Sequence, residues 1–430
     1  AWSLPLDVLS FEGVLEQRER HWSMLTEDFH VERADRVVDL SRAQFDWWGN
    51  ALRIRATDLG LGALPSILAA APGLPAPLRE ALPELSPRGR LDAVELRLDD
   101  LADPAGSWQL RASLDDIEVG SWRGSPALSG VSGYLDLGAS GGRLQIDSDH
   151  LRMDFPRLYR ESLAYDDARG ELRFAWDDEA LTIGSGLLEV TGEEGRARGL
   201  LAIDIPVAPR ETGIELSLLI GLRDSKAQYR DRYLPFRLPP PLLTWLEGAI
   251  PGGDIASAGF IWRGSMRRGQ NPHRSFQLFV DAREATLAYD PAWPPLTELA
   301  ATVWVDDGRT FGRARRARSA GVDLGDLMVR ALPRPGGVRL DVASHLSGDA
   351  SAAESLLADS PLAELTREVF ADWRFGGPVD GDLAISLELG EETTPPWIDL
   401  DLALDGVEAR VAQVDLPLSA IEGRLRYRSE

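Results

Sequence analysis

Apolar and polar residues alternate with a period of two along most of the chain, the pattern of strands with one buried face. Val94, Leu96 and Leu98 alternate with Glu95 and Arg97, and Leu110, Ala112 and Leu114 form a second set. Ile214, Leu216, Leu218 and Ile220 follow, then Val338, Leu340 and Val342, and the runs Leu383, Ile385, Leu387, Leu389 and Leu400, Leu402, Leu404. Turn residues separate such runs at Gly141-Gly142, Glu193-Glu194-Gly195, Asp306-Asp307-Gly308 and Pro335-Gly336-Gly337. Helical patterns are few. Residues 240–250 open on prolines and stop before Gly252-Gly253, which predicts a short helix. Residues 351–370 predict two short helices broken at Pro361, with weaker candidates at 64–71 and 77–82. The Pro/Gly-rich stretch 72–87 reads as a joint.

One pattern recurs. Leu128-x-x-Val131-x-Gly133-x-Leu135-x-Leu137 matches Leu418-x-x-Ile421-x-Gly423-x-Leu425-x-Tyr427. Leu296-x-x-Leu299-x-Ala301-x-Val303-x-Val305 matches both with alanine for glycine, and Tyr165-x-x-Ala168-x-Gly170-x-Leu172-x-Phe174 is a looser copy. Such repetition predicts a stack of hairpins. The fold class is mainly β: an elongated, curled antiparallel β-sheet groove, taco-like, built from repeated hairpins with a few short α-helices. Some 25 strands at about 4.8 Å each would span on the order of 120 Å. The expected divisions are a β-rich unit with the joint (1–90), groove repeats (91–228) and a further groove region with helices near 240–250 and 351–370 (229–430).

Strict alternation places Leu135, Leu137, Leu172, Phe174, Val303, Val305, Leu425 and Tyr427 on one face, together with Leu144, Ile146, Leu383, Ile385, Leu387, Leu400, Leu402 and Leu404. Periodicity alone leaves two arrangements open. A sandwich would bury this face under a second sheet. A curled trough would leave it open, and an apolar surface of that size calls for a ligand.

Composition narrows the function. The 430 residues carry 46 Lys+Arg against 69 Asp+Glu, a formal charge of -23, which counts against a nucleic-acid partner. With no cysteine there is no disulfide, thiol nucleophile or Cys-ligated metal. No stretch of about 18 apolar residues spans a bilayer. Both ends begin and stop inside patterned sequence, as expected for a piece of a longer chain. Gly138-Ala139-Ser140-Gly141-Gly142 fits G-x-S-x-G, but a nucleophile elbow joins a strand to a helix, and here alternating runs flank it on both sides. The five histidines lack metal-ligand spacing, and no metal or other cofactor is expected. The acidic doublets, among them Asp115-Asp116 and Asp306-Asp307, read as strand-end and hairpin-tip residues. The run Arg313-Ala314-Arg315-Arg316-Ala317-Arg318 reads as a solvated strand face, with an anionic partner as the other reading.

A family resemblance enters at Arg232-Tyr233-Leu234-Pro235-Phe236, then Leu242-Leu243-x-Trp245-Leu246-x-x-Ala249-Ile250-x-Gly252-Gly253 and Gly259-Phe260-Ile261-Trp262-Arg263-Gly264. It continues through Ala285-Thr286-Leu287-x-Tyr289-x-Pro291-x-Trp293-Pro294-Pro295-Leu296, Asp359-Ser360-Pro361-Leu362 and Gly406-Val407. These segments, covering about half the chain from Tyr229 onward, resemble the YhdP-type proteins of the AsmA-like family of Gram-negative envelopes. The resemblance implies a periplasmic protein held in the inner membrane by an N-terminal helix absent from this sequence. It also implies phospholipid carried toward the outer membrane along an apolar β-groove, as in bridge-like lipid transfer proteins, and no catalytic residues. The sixteen apolar residues above are then the expected lipid track, with phospholipids and the two membranes as partners. A structural envelope β-protein without lipid transport is the alternative.

Overall fold

The computed structural model describes residues 7–33, 36–62, 82–122, 125–208, 213–267, 274–361, 363, 373–390, 395–411 and 416–429. The chain divides into two units, Ala1–Leu218 with Gly264–His273 and Leu219–Arg263 with Arg274–Glu430. Unit 1 holds β1 (Val8–Arg18), β2 (His21–Arg33), β3 (Arg36–Trp48), β4 (Ala51–Gly60), β5 (Arg88–Leu98), β6 (Trp108–Val119), β7 (Ala127–Gly138) and β8 (Gly141–Asp149). It continues with β9 (Arg152–Asp154), β10 (Leu163–Ala164), β11 (Asp167–Trp176), β12 (Ala180–Ser185), β13 (Leu188–Gly192) and β14 (Gly195–Pro206). After β15 (Glu215–Lys226), unit 2 holds β16 (Gly252–Ser265), β17 (Ser275–Leu287), β18 (Leu296–Asp306), β19 (Arg309–Ser319), β20 (Val322–Arg334) and β21 (Gly337–Asp349). It ends with β22 (Trp373–Gly376), β23 (Pro378–Gly390), β24 (Trp397–Val411) and β25 (Leu416–Arg428). Helix α1 spans Pro240–Ala249 and helix α2 spans Ala350–Ala358.

The fold is mainly β and antiparallel, as the alternation predicted. Within each unit, successive strands pair as neighbours in a meander rather than as two facing sheets. The helix predicted at 240–250 forms α1, and the first of the pair in 351–370 forms α2. The candidates at 64–71 and most of 77–82, the first ten residues of the 72–87 joint and nearly all of the second helix before residue 370 lie outside the described residues.

Nearly every strand is interrupted partway along by a bulge or a break. Asp28, Asp58, Asp116, Glu284, Glu298, Asp326 and Ala420 all sit at positive φ inside strands, joined by Gly89, Gly130 and Gly406. Ladder registers shift at several of these points, as between Leu114 and Ile117 of β6 and between Leu404 and Val407 of β24. His150 (φ 63) separates β8 from β9, and Gly377 (φ 98) separates β22 from β23. A bulge adds one residue, bends its strand and raises the local twist. Repeated strand after strand at the same level, it makes a crease across the sheet. The x-x of the recurrent pattern is this crease: Gly130, Glu298 and Ala420 occupy its second position. The extra residue keeps Leu128 and Val131 on one side although they are three apart. Asp115-Asp116 therefore lies inside β6, not at a strand end as the sequence implied. Aspartate tolerates the left-handed conformation that most residues avoid.

Burial follows the crease. Apolar residues flanking it are sealed: Ile117, Val131, Leu299 and Val407 are all buried. At it the side chains are small, with Ala43, Ala112, Ala314 and Ala317 nearly inaccessible, which lets the two halves of each strand close together. In unit 2, α2 covers the buried residues through Ala352, Ala353 and Leu356. Its N-cap is Asp349, whose carboxylate accepts from the Ser351 amide at 2.9 Å and the Gly377 amide at 3.0 Å. Those amides hold the Asp349 carboxyl below its usual range, after the larger contribution of the Ser351 hydroxyl.

Ala112→Leu should overfill the crease and cost about 1–3 kcal/mol, read as a lowered unfolding midpoint in denaturant. Asp116→Gly should leave that midpoint nearly unchanged, while Asp116→Val should lower it, because a β-branched residue resists positive φ.

Candidate functional site

Residues paired across neighbouring strands point to the same face, so the registers trace each face residue by residue. In unit 1, Met24, Phe45, Ile54, Leu96, Leu110 and Leu137 are consecutive partners from β2 to β7. The line passes Gly142 and continues through Phe174, Ile183 and Ile203 to β14. Beside it run Ala112, Leu135, Leu144 and Leu172, with Ile146 next to Gly133. The six residues expected here from the sequence (Leu135, Leu137, Leu144, Ile146, Leu172 and Phe174) thus share one face of unit 1. Gly133 (φ 145) fits only without a side chain, since a Cβ would meet the Gln145 carbonyl oxygen.

Unit 2 repeats the arrangement. Ala258, Val280, Val303, Gly312, Val329, Val342, Ile385 and Ile398 are consecutive partners. Val305 and Leu387 belong to the adjacent line through Thr310, Ala331 and Leu340. Leu383 pairs with Leu400 and Leu400 with Tyr427, while Leu402 pairs with Leu425 and Val379 with Leu404. The ten expected residues of this unit share one face. The long lines in both units stay half-buried up to Ile398, which is buried. They are apolar, and no second layer of described residues covers them.

The opposite face of unit 1 is ionic. Gln44, Arg55, Glu95, Arg111, Asp136, Arg143 and Arg173 form one line. Arg55 meets Glu95 at 3.0 Å, and Asp136 lies between Arg111 at 3.6 Å and Arg143 at 3.9 Å. In unit 2 the basic run lies in β19 as a strand face, where Arg313 pairs with Asp326 at 3.2 Å and Arg315 with Asp281 at 3.6 Å. Ser140 sits in the tight turn joining β7 to β8, where Gly138 pairs with Gly141. No helix follows to make an elbow.

The sequence pattern of the YhdP protein family matches residues 2–430. The chain belongs to the YhdP family. It is 24% identical over 349 residues to the intermembrane phospholipid transporter YhdP of Escherichia coli (strain K12), covering 79% of this chain and 27% of that relative. The chain therefore spans about a quarter of the relative's length. No solved structure matches it. The relative is named as a transporter, not an enzyme.

Trp245, Ala249 and Tyr289, from the segments that carried the family resemblance, join Arg230 in a clamp. Arg230 donates to the carbonyl oxygens of Leu246 at 3.0 Å, Glu247 and Ile250, satisfying the free C-terminal end of α1. The Trp245 indole donates to the Tyr289 carbonyl at 2.8 Å, and the Ala288 amide to the Ala249 carbonyl at 2.8 Å. These contacts hold the helix to the end of β17 and stand apart from the apolar lines.

What sequence reasoning missed in unit 2 lies on the face opposite the apolar lines, where Trp304, Phe311, Met328 and Trp397 replace the ionic residues of unit 1. The signal was present: Val303-Trp304-Val305 and Leu327-Met328-Val329 are apolar triplets that break alternation.

His345, also on that face, bridges two carboxylates, with Nδ1 3.0 Å from Asp382 and Nε2 3.0 Å from Asp380. The hydrogen bond to Asp382, then that to Asp380, raises its pKa above the ordinary 6.5. A raised folded-state value adds stability that is complete below pH 6.5 and is lost as pH rises through the raised value. The thermal midpoint should therefore fall over that window in the wild type, and fall less in His345→Gln, measured by circular dichroism from pH 5 to 9.

Proposed function

We propose that this chain is a section of an intermembrane phospholipid conduit, with acyl chains lying along the apolar lines of each unit and headgroups left in water. The observation that carries this reading is a continuous apolar line, one residue per strand, that no second layer among the described residues covers. Neighbouring strands place these residues about 4.8 Å apart, so a chain leaving one finds the next at once. Each buried methylene gains about 0.8 kcal/mol, and no single position holds the lipid, which favours sliding. The relative's printed role as an intermembrane phospholipid transporter supports the same reading. The proposed setting is the periplasm, with the anchor to the inner membrane and the contacts to both membranes made by parts of the protein beyond this sequence. A purely structural envelope protein would fill this face with its own side chains, and the half-exposed lines argue against that.

Ile385→Asp and Val303→Asp place a carboxylate on the track. A charge in apolar surroundings costs several kcal/mol there, but an open face leaves it partly hydrated, so folding should survive. Co-purifying phospholipid, measured by mass spectrometry, should fall at least severalfold, and lipid transfer between vesicles should stop. Thr302→Asp, on the other face, should change neither. Inward variants that fold, hold lipid and transfer it like wild type would refute the assignment.

A further inference from the structure

The face of unit 2 opposite the apolar lines carries a second feature. One line across it runs Trp304, Phe311, Arg330, Asp341, Ser386 and Trp397. Trp304 and Trp397 are each 43% exposed and Met328 is 52% exposed. Together with Phe311 they line a cavity of about 880 Å³, within the roughly 300–1,000 Å³ of ligand pockets. Phe279 packs on Trp304 with ring centroids 5.8 Å apart, which fixes that wall. Three arginines border the cavity. Arg313 is committed to Asp326 at 3.2 Å and Arg339 to Asp341 at 3.0 Å. The Arg330 side chain makes no hydrogen bond or close ion pair among the described residues, although it lies near enough to Asp341 to help lower that carboxyl's pKa.

We propose that this cavity docks an acidic segment of a protein partner, which seats one apolar side chain between Trp304 and Trp397 and sets a carboxylate on Arg330. Exposed tryptophan, methionine and arginine around a concavity is the composition of interaction hot spots. Three arginines against two carboxylates around the cavity, on a chain of net charge -23, favour negative charge at that one place. A bilayer surface is the poorer fit, because the site is concave and a flat headgroup layer cannot reach between its walls. The paired, wholly polar line on the opposite face of unit 1 offers nothing comparable. The side chains that would hold the partner lie on the face away from the lipid lines, and the strand segments carrying Val329, Val342 and Ile385 also border the cavity.

The test uses the whole chain and two blocked peptides at low salt, one of alternating glutamate and leucine and one of alternating lysine and leucine, titrated by calorimetry. The acidic peptide should bind saturably. Trp397→Ala and Arg330→Glu should each weaken it at least tenfold, and Arg330→Glu should reverse the preference toward the lysine peptide. Circular dichroism checks folding, and should Trp397→Ala unfold the protein, the exposed Arg330→Glu reversal decides alone. No saturable binding, equal binding by wild type and Arg330→Glu, or residue-dependent binding only to vesicles of anionic phospholipid would each overturn the proposal.

Discussion

A sheet with one apolar face and no second sheet above it has to hide part of that face by bending. Everything else in this protein answers that constraint. Most strands bend at one level, through a positive-φ residue or a short break, and the bends of neighbouring strands line up into a crease. Small residues at the crease, Ala43, Ala112 and Ala314 among them, let the two halves of each strand approach. The apolar residues flanking the crease are buried, in unit 2 with α2 as an added cover. The half before the crease keeps its apolar lines accessible.

The two faces then take opposite roles. In unit 1 the outward face pairs arginine with glutamate or aspartate across strands, as at Arg55–Glu95 and Arg111–Asp136. Such exposed pairs add little stability each, but they keep that face hydrated and set the register, so the apolar residues cannot slip to the wrong side. The apolar lines are non-specific by construction. Leucine, isoleucine, valine and phenylalanine offer a path of nearly uniform attraction, which suits passage along the sheet better than tight retention at one point.

Much of this was legible in the sequence because a strand's period is two. Leu135 and Leu137, or Leu383, Ile385 and Leu387, declare a shared face wherever the alternation is unbroken, and cross-strand pairing agrees with them. The crease was not legible. Leu128-x-x-Val131 was visible as a repeat, yet nothing in composition says that Gly130, or Glu298 and Ala420 in the same position, takes a positive φ. Asp116 misled for the same reason: aspartate marks turns and left-handed bulges alike, and only the neighbouring strand distinguishes them. Trp304 and Met328 were hidden in plain apolar triplets, because a pattern search for one buried face discounts the residue between two inward aliphatic side chains. Trp245 stood out only as part of a family motif and Arg230 not at all, since a helix clamp depends on carbonyls 16 and 44 residues away.

The central claim is that lipid touches one face of these strands and not the other. The most direct measurement is photo-crosslinking with a diazirine amino acid placed in turn at positions 134, 135, 136 and 137 of β7, in protein loaded with phospholipid, with adducts read by mass spectrometry. The account predicts phospholipid adducts at 135 and 137 and none at 134 and 136. Equal labelling at all four positions, or labelling confined to 134 and 136, would contradict it.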